Sequence, residues 1–276
     1  PFTRLAETLG DYEAFARGLR QRIDGATTPD PRDYKLLAYA YELGNRRELR
    51  RETLAAGLKL FPQDDELRML LVTTLSDAKL YREAQNTLAL HTKLREDPIA
   101  AEYFLELMRL NNDTAAERRF LREPFAPAVL ADEDFLVHSA YAWEALREYA
   151  RAEETYRLLY ARHPESFQHA GDVARIALLR GHPKEAKQVL APFLLKPTPP
   201  VLKLAAEIAT AAGDHRNAEK YQAAYLAAAR NAPATDWGAL GDIRLSRGDR
   251  IGAKRAYAEA LRRMHAELGA TKGGAL

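Results

Sequence analysis

Prolines divide this chain into blocks of similar length. An α-helix cannot pass through a proline without losing a hydrogen bond and being distorted. Helices should therefore begin and end within a block. When one proline is taken from each boundary between blocks, successive prolines are 31, 36, 29, 37, 35 and 34 residues apart. The prolines are Pro31, Pro62, Pro98, Pro127, Pro164, Pro199 and Pro233.

Each block has apolar residues at helical spacing on both sides of a central break. The break often carries glycine with Asp or Asn, as in Gly44-Asn45, Gly213-Asp214 and Gly248-Asp249. Glycine adopts the left-handed backbone conformation that ends many helices, and a following Asp or Asn can cap the next helix. Each block therefore predicts two helices joined by a tight turn.

Alignment on this break shows an internal repeat. Four residues after a recurring small residue comes a larger side chain on the same helical face, such as Tyr156 after Ala152. The small residue lets two helices approach closely, and the larger side chain fills the space beside it. The intervals are 35, 32, 36, 34, 32 and 35 residues along the series Leu49, Ala84, Ala116, Ala152, Ala186, Ala218 and Ala253.

A helix pair of this length resembles the tetratricopeptide repeat. The last block matches that family best, with Trp237, Gly241, Ala253 and Tyr257 at its tryptophan, glycine, alanine and aromatic positions. The resemblance implies an all-α fold, a right-handed superhelical solenoid of antiparallel helix pairs with about seven to eight repeats. The residues assigned to the repeat signature are Ala84, Ala116, Ala152, Tyr156, Ala186, Ala218, Trp237, Gly241, Ala253 and Tyr257.

The blocks predict one solenoid over residues 1–276. A partial repeat at 1–30 contains Leu9 to Ile23, which resembles the second helix of a pair. The block 98–131 is the weakest, because Pro124 and Pro127 shorten its second helix. The predicted full repeats are 31–63, 64–97, 98–131, 132–164, 165–197, 198–232 and 233–268, followed by a tail at 269–276.

The resemblance also implies that the first helix of each pair lines a concave groove. Tyrosines in such a groove would give a partner rigid contact area, but aromatic residues at helical spacing are more often core. Its arginines and lysine are either solvated or available to carboxylates and sugars. Both alternatives stay open for the candidate partner-binding residues Tyr34, Tyr41, Met69, Arg109, Tyr141, Glu144, Arg175, Lys203 and Glu207.

The residue content gives no indication of catalysis. The chain has no cysteine, which excludes a disulfide, a thiolate nucleophile and a cysteine-ligated metal. It has no glycine-rich phosphate loop, nucleophile elbow or His-Glu-x-x-His motif, and its seven histidines are scattered. No apolar run is long enough to span a membrane. We therefore predict a non-enzyme with no catalytic, cofactor or metal site.

The leading functional interpretation is a protein-binding scaffold. The chain is also similar in character to the tetratricopeptide regions of bacterial exopolysaccharide export proteins of the outer membrane. That similarity implies a periplasmic array that recruits a polysaccharide-modifying enzyme or guides the polymer, in a full-length protein anchored to the membrane. The chain opens at Pro1 without an initiator methionine, so we expect it to be part of a longer protein.

Two alternatives stay open. The first is a cytoplasmic assembly or regulatory module that binds a peptide or helix. The second is an RNA-binding helical repeat, which needs a uniform basic stripe. The 41 basic and 39 acidic residues nearly balance, so nucleic acid is the less favoured partner. The last block is locally positive, through Arg244, Arg247, Arg250, Lys254, Arg255, Arg262 and Arg263.

Overall fold

The computed structural model describes the backbone of residues 12–273 and the side chains of residues 12–268. All regular structure in that range is helical, which confirms the predicted all-α fold. Residues 1–11 of the predicted partial repeat and residues 274–276 of the predicted tail lie outside the described residues. The helices are α1 Tyr12–Gly25, α2 Pro31–Leu43, α3 Arg47–Leu60, α4 Asp65–Asp77, α5 Tyr81–Leu88, α6 Pro98–Leu110, α7 Thr114–Arg122, α8 Pro127–Ala131, α9 Glu133–Ala145, α10 Tyr149–Arg162, α11 Phe167–Leu179, α12 Pro183–Leu190, α13 Pro199–Ala211, α14 His215–Ala228, α15 Ala234–Ser246 and α16 Arg250–Gly273.

The helices form two compact units, one ending at Ala142 and one beginning at Trp143. In the first unit, the pairs α2/α3, α4/α5 and α6/α7 follow α1, and α8 precedes the start of α9. In the second unit, the end of α9 and α10 precede the pairs α11/α12, α13/α14 and α15/α16. Short turns join the two helices of each pair, so the two run antiparallel.

The turn within each pair contains one residue with positive φ. Glycine was expected there, and Gly181, Gly213 and Gly248 take the position. At Gly44-Asn45 the expectation was wrong by one residue, because Gly44 has a φ of −79° and Asn45 a φ of 54°. The intervals are 34, 33, 35, 34, 32 and 35 residues along the series Asn45, Lys79, Asn112, Arg147, Gly181, Gly213 and Gly248.

The small residues of the repeat lie in the helix seams. Ala218 on α14 is fully buried and packs with Ala209 of α13 and Ile243 of α15. A side chain at Gly241 would overlap the ring of Tyr257, so this glycine allows α15 and α16 to approach. Ala84, Ala152, Ala186 and Ala253 are buried in the same way, and Ala116 is half-buried.

The second helices differ in length. The helix α5 has 8 residues. The helix α7 has 9 residues, because Pro124 and Pro127 follow it. Arg95 lies beside this shortened helix, with its guanidinium 4.5 Å from the ring of Phe120 and 4.9 Å from that of Phe125. The last helix, α16, has 24 residues and runs to Gly273. It therefore extends into the segment 269–276 that was expected to be a tail.

Candidate functional site

In the first unit, two of the candidate groove tyrosines are buried. Tyr34 and Tyr41 each leave 8% of their surface exposed. Tyr34 packs on Gly57 of α3 and makes an edge contact with Phe61 at 6.1 Å. Tyr41 lies in a cluster with Leu19 of α1. Both side chains stabilise the helix pairs and offer a partner little contact area.

The other candidates of the first unit are separate from one another. Met69 is half-buried, and Tyr141 is 44% exposed. Arg109 is exposed and donates from Nε to Glu106 on its own helix at 2.8 Å. This hydrogen bond raises the pKa of Arg109. Its positive charge is therefore already paired.

Contacts between polar side chains connect neighbouring first helices in this unit. Lys35 on α2 lies 3.0 Å from Asp64 and also pairs with Glu66 on α4. On α9, His138 lies 2.9 Å from Glu102 of α6. These contacts join α2 to α4 and α6 to α9.

In the second unit, the structure brings together the candidates Glu144 and Arg175. Arg175 donates from Nη2 to Glu144 at 2.9 Å and to Asp172 at 3.3 Å, and from Nη1 to Glu144 as well. The hydroxyl of Tyr156 donates to Glu144 at 3.1 Å. Arg175 lowers the pKa of Glu144, whereas burial raises the pKa values of Asp172 and Tyr156. We call Glu144, Tyr156, Asp172 and Arg175 the arginine cluster.

The arginine cluster should make stability depend on pH. The folded pKa of Glu144 lies below the unfolded value of about 4.3, so its contribution is present above that pH and is lost as the pH falls through the folded pKa. We expect Arg175→Ala to lower the denaturation midpoint near pH 7 and to have a smaller effect near about pH 3. Urea denaturation of both proteins across this range measures the difference. A constant difference would contradict the assignment, and Arg109→Ala, at an exposed pair, is the control.

A second cluster joins α13 to α14 and α15. Lys203 on α13 donates to both carboxylate oxygens of Asp236 on α15, at 2.9 and 3.2 Å. The Tyr225 hydroxyl on α14 donates to the same carboxylate at 2.6 Å, and Gln222 donates to the Asp236 carbonyl at 2.7 Å. The bond to Asp236 raises the pKa of Tyr225 to about 12. We call Lys203, Gln222, Tyr225 and Asp236 the aspartate cluster.

Glu207 lies one helical turn after Lys203 and differs from the other charged candidates. Its side chain reaches solvent, and it makes no ion pair within the part of the chain that the structure describes. The surrounding protein limits hydration of the carboxylate, which raises its pKa; the positive charge of Lys203 opposes this effect, and the negative charge of Asp236 adds to it. Glu207 is therefore a solvent-accessible carboxylate without an ion-pair partner among the described residues, and the charge of Lys203 offsets its unfavourable environment only in part.

This geometry changes the expected chemistry of the surface. Arg109, Arg175 and Lys203 were candidates for binding carboxylates or sugars, but each is paired with a carboxylate of the protein itself. Sequence reasoning missed Asp236 as a partner of Lys203. The two residues are 33 positions apart, close to one repeat, and Glu144 and Arg175 are 31 apart. Opposite charges at the repeat interval were the available signal.

The described residues provide no group of three or more His, Asp or Glu side chains able to hold a metal ion. Among the described helices, none is both long and apolar enough to span a membrane.

No family model matches the chain, and no curated protein matches it. It is similar to a chain in the structure of Naa15/Naa10 bound to HypK-THB, with 14% identity over 84% of this chain and 37% of that chain, and a TM-score of 0.56. It is also similar to the MamA protein, with 12% identity over 62% of this chain and 94% of that chain, and a TM-score of 0.52.

A tetratricopeptide repeat protein from Parabacteroides merdae is 14% identical over 84% of this chain and 93% of that chain, with a TM-score of 0.48. Together with the helix pairs, the likeness to MamA and to the Naa15/Naa10 chain supports the predicted tetratricopeptide-like fold. At these identities the likeness concerns the fold alone.

Proposed function

We propose that the chain is a protein-binding scaffold that holds a segment of its partner along α11, α13 and α15. The observation that carries this proposal is Glu207, an accessible carboxylate on α13 that has no ion-pair partner among the described residues. Arg175 of the arginine cluster lies on α11, and the Lys203–Asp236 ion pair of the aspartate cluster joins α13 to α15, so hydrogen bonds hold these charged groups in fixed positions. Such a surface offers a partner preorganised polar contacts, which lowers the entropic cost of binding.

The charges favour a partner segment that carries lysine or arginine. A cation placed beside Glu207 would relieve the unfavourable environment that raises its pKa. Leu245 on α15 is 51% exposed and provides apolar contact area on the last of these three helices. We therefore expect the partner segment to combine a basic residue with an apolar one.

The test is affinity capture from the native host with the wild-type chain and Glu207→Lys as bait. We expect the charge reversal to reduce capture of the principal partner at least about tenfold, because it replaces an attraction with a repulsion. Glu154→Lys, at an exposed position on the second helix α10, makes the same charge change away from the proposed surface and is the control. Equal capture by all three baits would refute the proposed binding surface.

The narrower role in exopolysaccharide secretion is a separate part of the proposal. It is supported by the similarity in composition and repeat character described above, and it implies a periplasmic location. Fractionation of the native host with an antibody to the chain tests the location, and polymer secretion in a deletion strain tests the role. A cytoplasmic protein with normal polymer secretion would favour the assembly or regulatory module instead.

A further inference from the structure

A pocket lies between the two short second helices of the first unit. The helices α5 and α7 have 8 and 9 residues, whereas α3 and α10 have 14. The pocket has a volume of about 510 Å³, which is within the range of small-molecule sites. It is enclosed by residues 82–123, in the interior of the array, with α4 before it and α8 and α9 after it in the chain.

Arg95 fixes one end of the pocket. Its Nη1 donates to the carbonyl of Phe120 at 3.0 Å, and its own carbonyl accepts from the backbone N–H of Ala126 at 2.9 Å. Its guanidinium also lies 2.6 Å from the carboxylate of Glu123. These contacts tie the segment after α5 to the segment after α7, so the pocket is formed before any ligand binds.

Apolar side chains line the inner part of the pocket. They are Leu94 from the segment after α5, Phe104 of α6 and Phe120 of α7. The two phenylalanine rings make an edge contact at 5.0 Å. Ala89 and Ala116 also line the pocket, and their small side chains leave room beside the rings. The inner part can therefore accept a flat apolar group.

The polar groups of the pocket offer more donors than acceptors. The carboxylate of Asp113 accepts from Arg82 at 2.9 Å and from the backbone N–H of Ala116 at 3.2 Å. Glu123 is paired with Arg95. Each guanidinium has five N–H donors and no acceptor, and Arg82 and Arg95 use only some of theirs. Both carboxylates are therefore engaged, whereas N–H donors remain for a ligand.

Arg119 provides a positive charge that the protein does not pair. It is exposed, lies one helical turn after Ala116 on the face of α7 that lines the pocket, and makes no ion pair with any described residue. Burial also lowers the pKa of Arg95, and the charge of Glu123 offsets this effect only in part. A negative charge in the pocket would therefore interact favourably with both arginines.

We propose that this pocket binds a small organic anion in which a carboxylate is attached to an apolar ring. The ring packs on Leu94, Phe104 and Phe120, and the carboxylate accepts hydrogen bonds from Arg119 at the rim. The pocket belongs to the first unit, and the proposed partner surface around Glu207 belongs to the second. Each of the two proposals can therefore fail without the other.

The experiment is isothermal titration calorimetry of the full chain with 2-naphthoate at low salt. The matched control ligand is 2-naphthamide, which has the same ring and no charge, and it should bind at least about fivefold more weakly. Arg119→Glu should weaken binding of 2-naphthoate at least about tenfold, because it replaces an attraction with a repulsion. Arg216→Glu, at an exposed position on α14, makes the same charge change away from the pocket and should bind as the wild type does.

A second pair of variants tests the location. Ala89→Trp places a large side chain in the pocket from an exposed position and should weaken binding of 2-naphthoate at least about tenfold. Ala227→Trp, at an exposed position on α14, is its control, and Asn86→Trp fills the pocket from α5 if Ala89→Trp does not fold. The proposal is overturned if 2-naphthoate does not bind or if 2-naphthamide binds equally well. It is also overturned if Arg119→Glu or the folded tryptophan variant binds 2-naphthoate as the wild type does.

Discussion

Replacing Ala218 with arginine is expected to destabilise the second unit by at least about 3 kcal/mol. Ala218 is fully buried between Ala209 of α13 and Ile243 of α15, so the seam has no room for a longer side chain. The arginine must either separate three helices or bury its charge. Thermal unfolding followed by circular dichroism should show a melting temperature lower by roughly 10 °C.

Ala227→Arg is the control, because Ala227 lies on the same helix and is exposed. It introduces the same side chain and charge without entering the seam, and we expect its melting temperature to stay within about 2 °C of the wild-type value. Similar melting curves for Ala218→Arg and the wild type would show that the recurring alanines are not the points of closest helix approach.

The repeat was predictable because its determinants are local and periodic. Prolines mark the ends of blocks, and small residues recur at the helix seams. The turns at Lys79 and Arg147 were not predictable in this way, since lysine and arginine rarely adopt positive φ. There the packing of the two helices fixes the turn, and the residue tolerates a conformation that glycine or asparagine adopts more easily.

The candidate site was predictable only in part. The resemblance placed Glu144, Arg175 and Lys203 on first helices, and the structure places them there. It did not indicate that Glu144 and Arg175 pair, because that depends on how neighbouring repeats align in space. Tyr34 is buried because Gly57 of α3 has no side chain and leaves room for its ring. The sequence alone did not indicate that these two residues meet.

Removal of the Asp236 carboxylate is the second change with a large expected effect. Asp236 is buried at the start of α15 and accepts hydrogen bonds from Lys203 and Tyr225. In Asp236→Ala the buried hydroxyl of Tyr225 loses its acceptor, and the favourable interaction of a carboxylate with the helix N-terminus is lost. Lys203 is 41% exposed and can be hydrated instead, so it contributes little to the loss. We expect destabilisation of about 2 to 3 kcal/mol in urea denaturation.

A double-mutant cycle separates these effects. Tyr225→Phe removes the hydroxyl but keeps the ring, so Asp236→Ala should cost about 1 to 2 kcal/mol less in the Tyr225→Phe background than in the wild type. Asp236→Asn keeps one acceptor oxygen for the Tyr225 hydroxyl and should cost only about 1 kcal/mol, because it removes the charge and one of the two acceptors of the exposed Lys203. If Asp236→Ala costs the same in both backgrounds, the hydroxyl of Tyr225 does not depend on this carboxylate. The aspartate cluster would then not be what joins α13, α14 and α15.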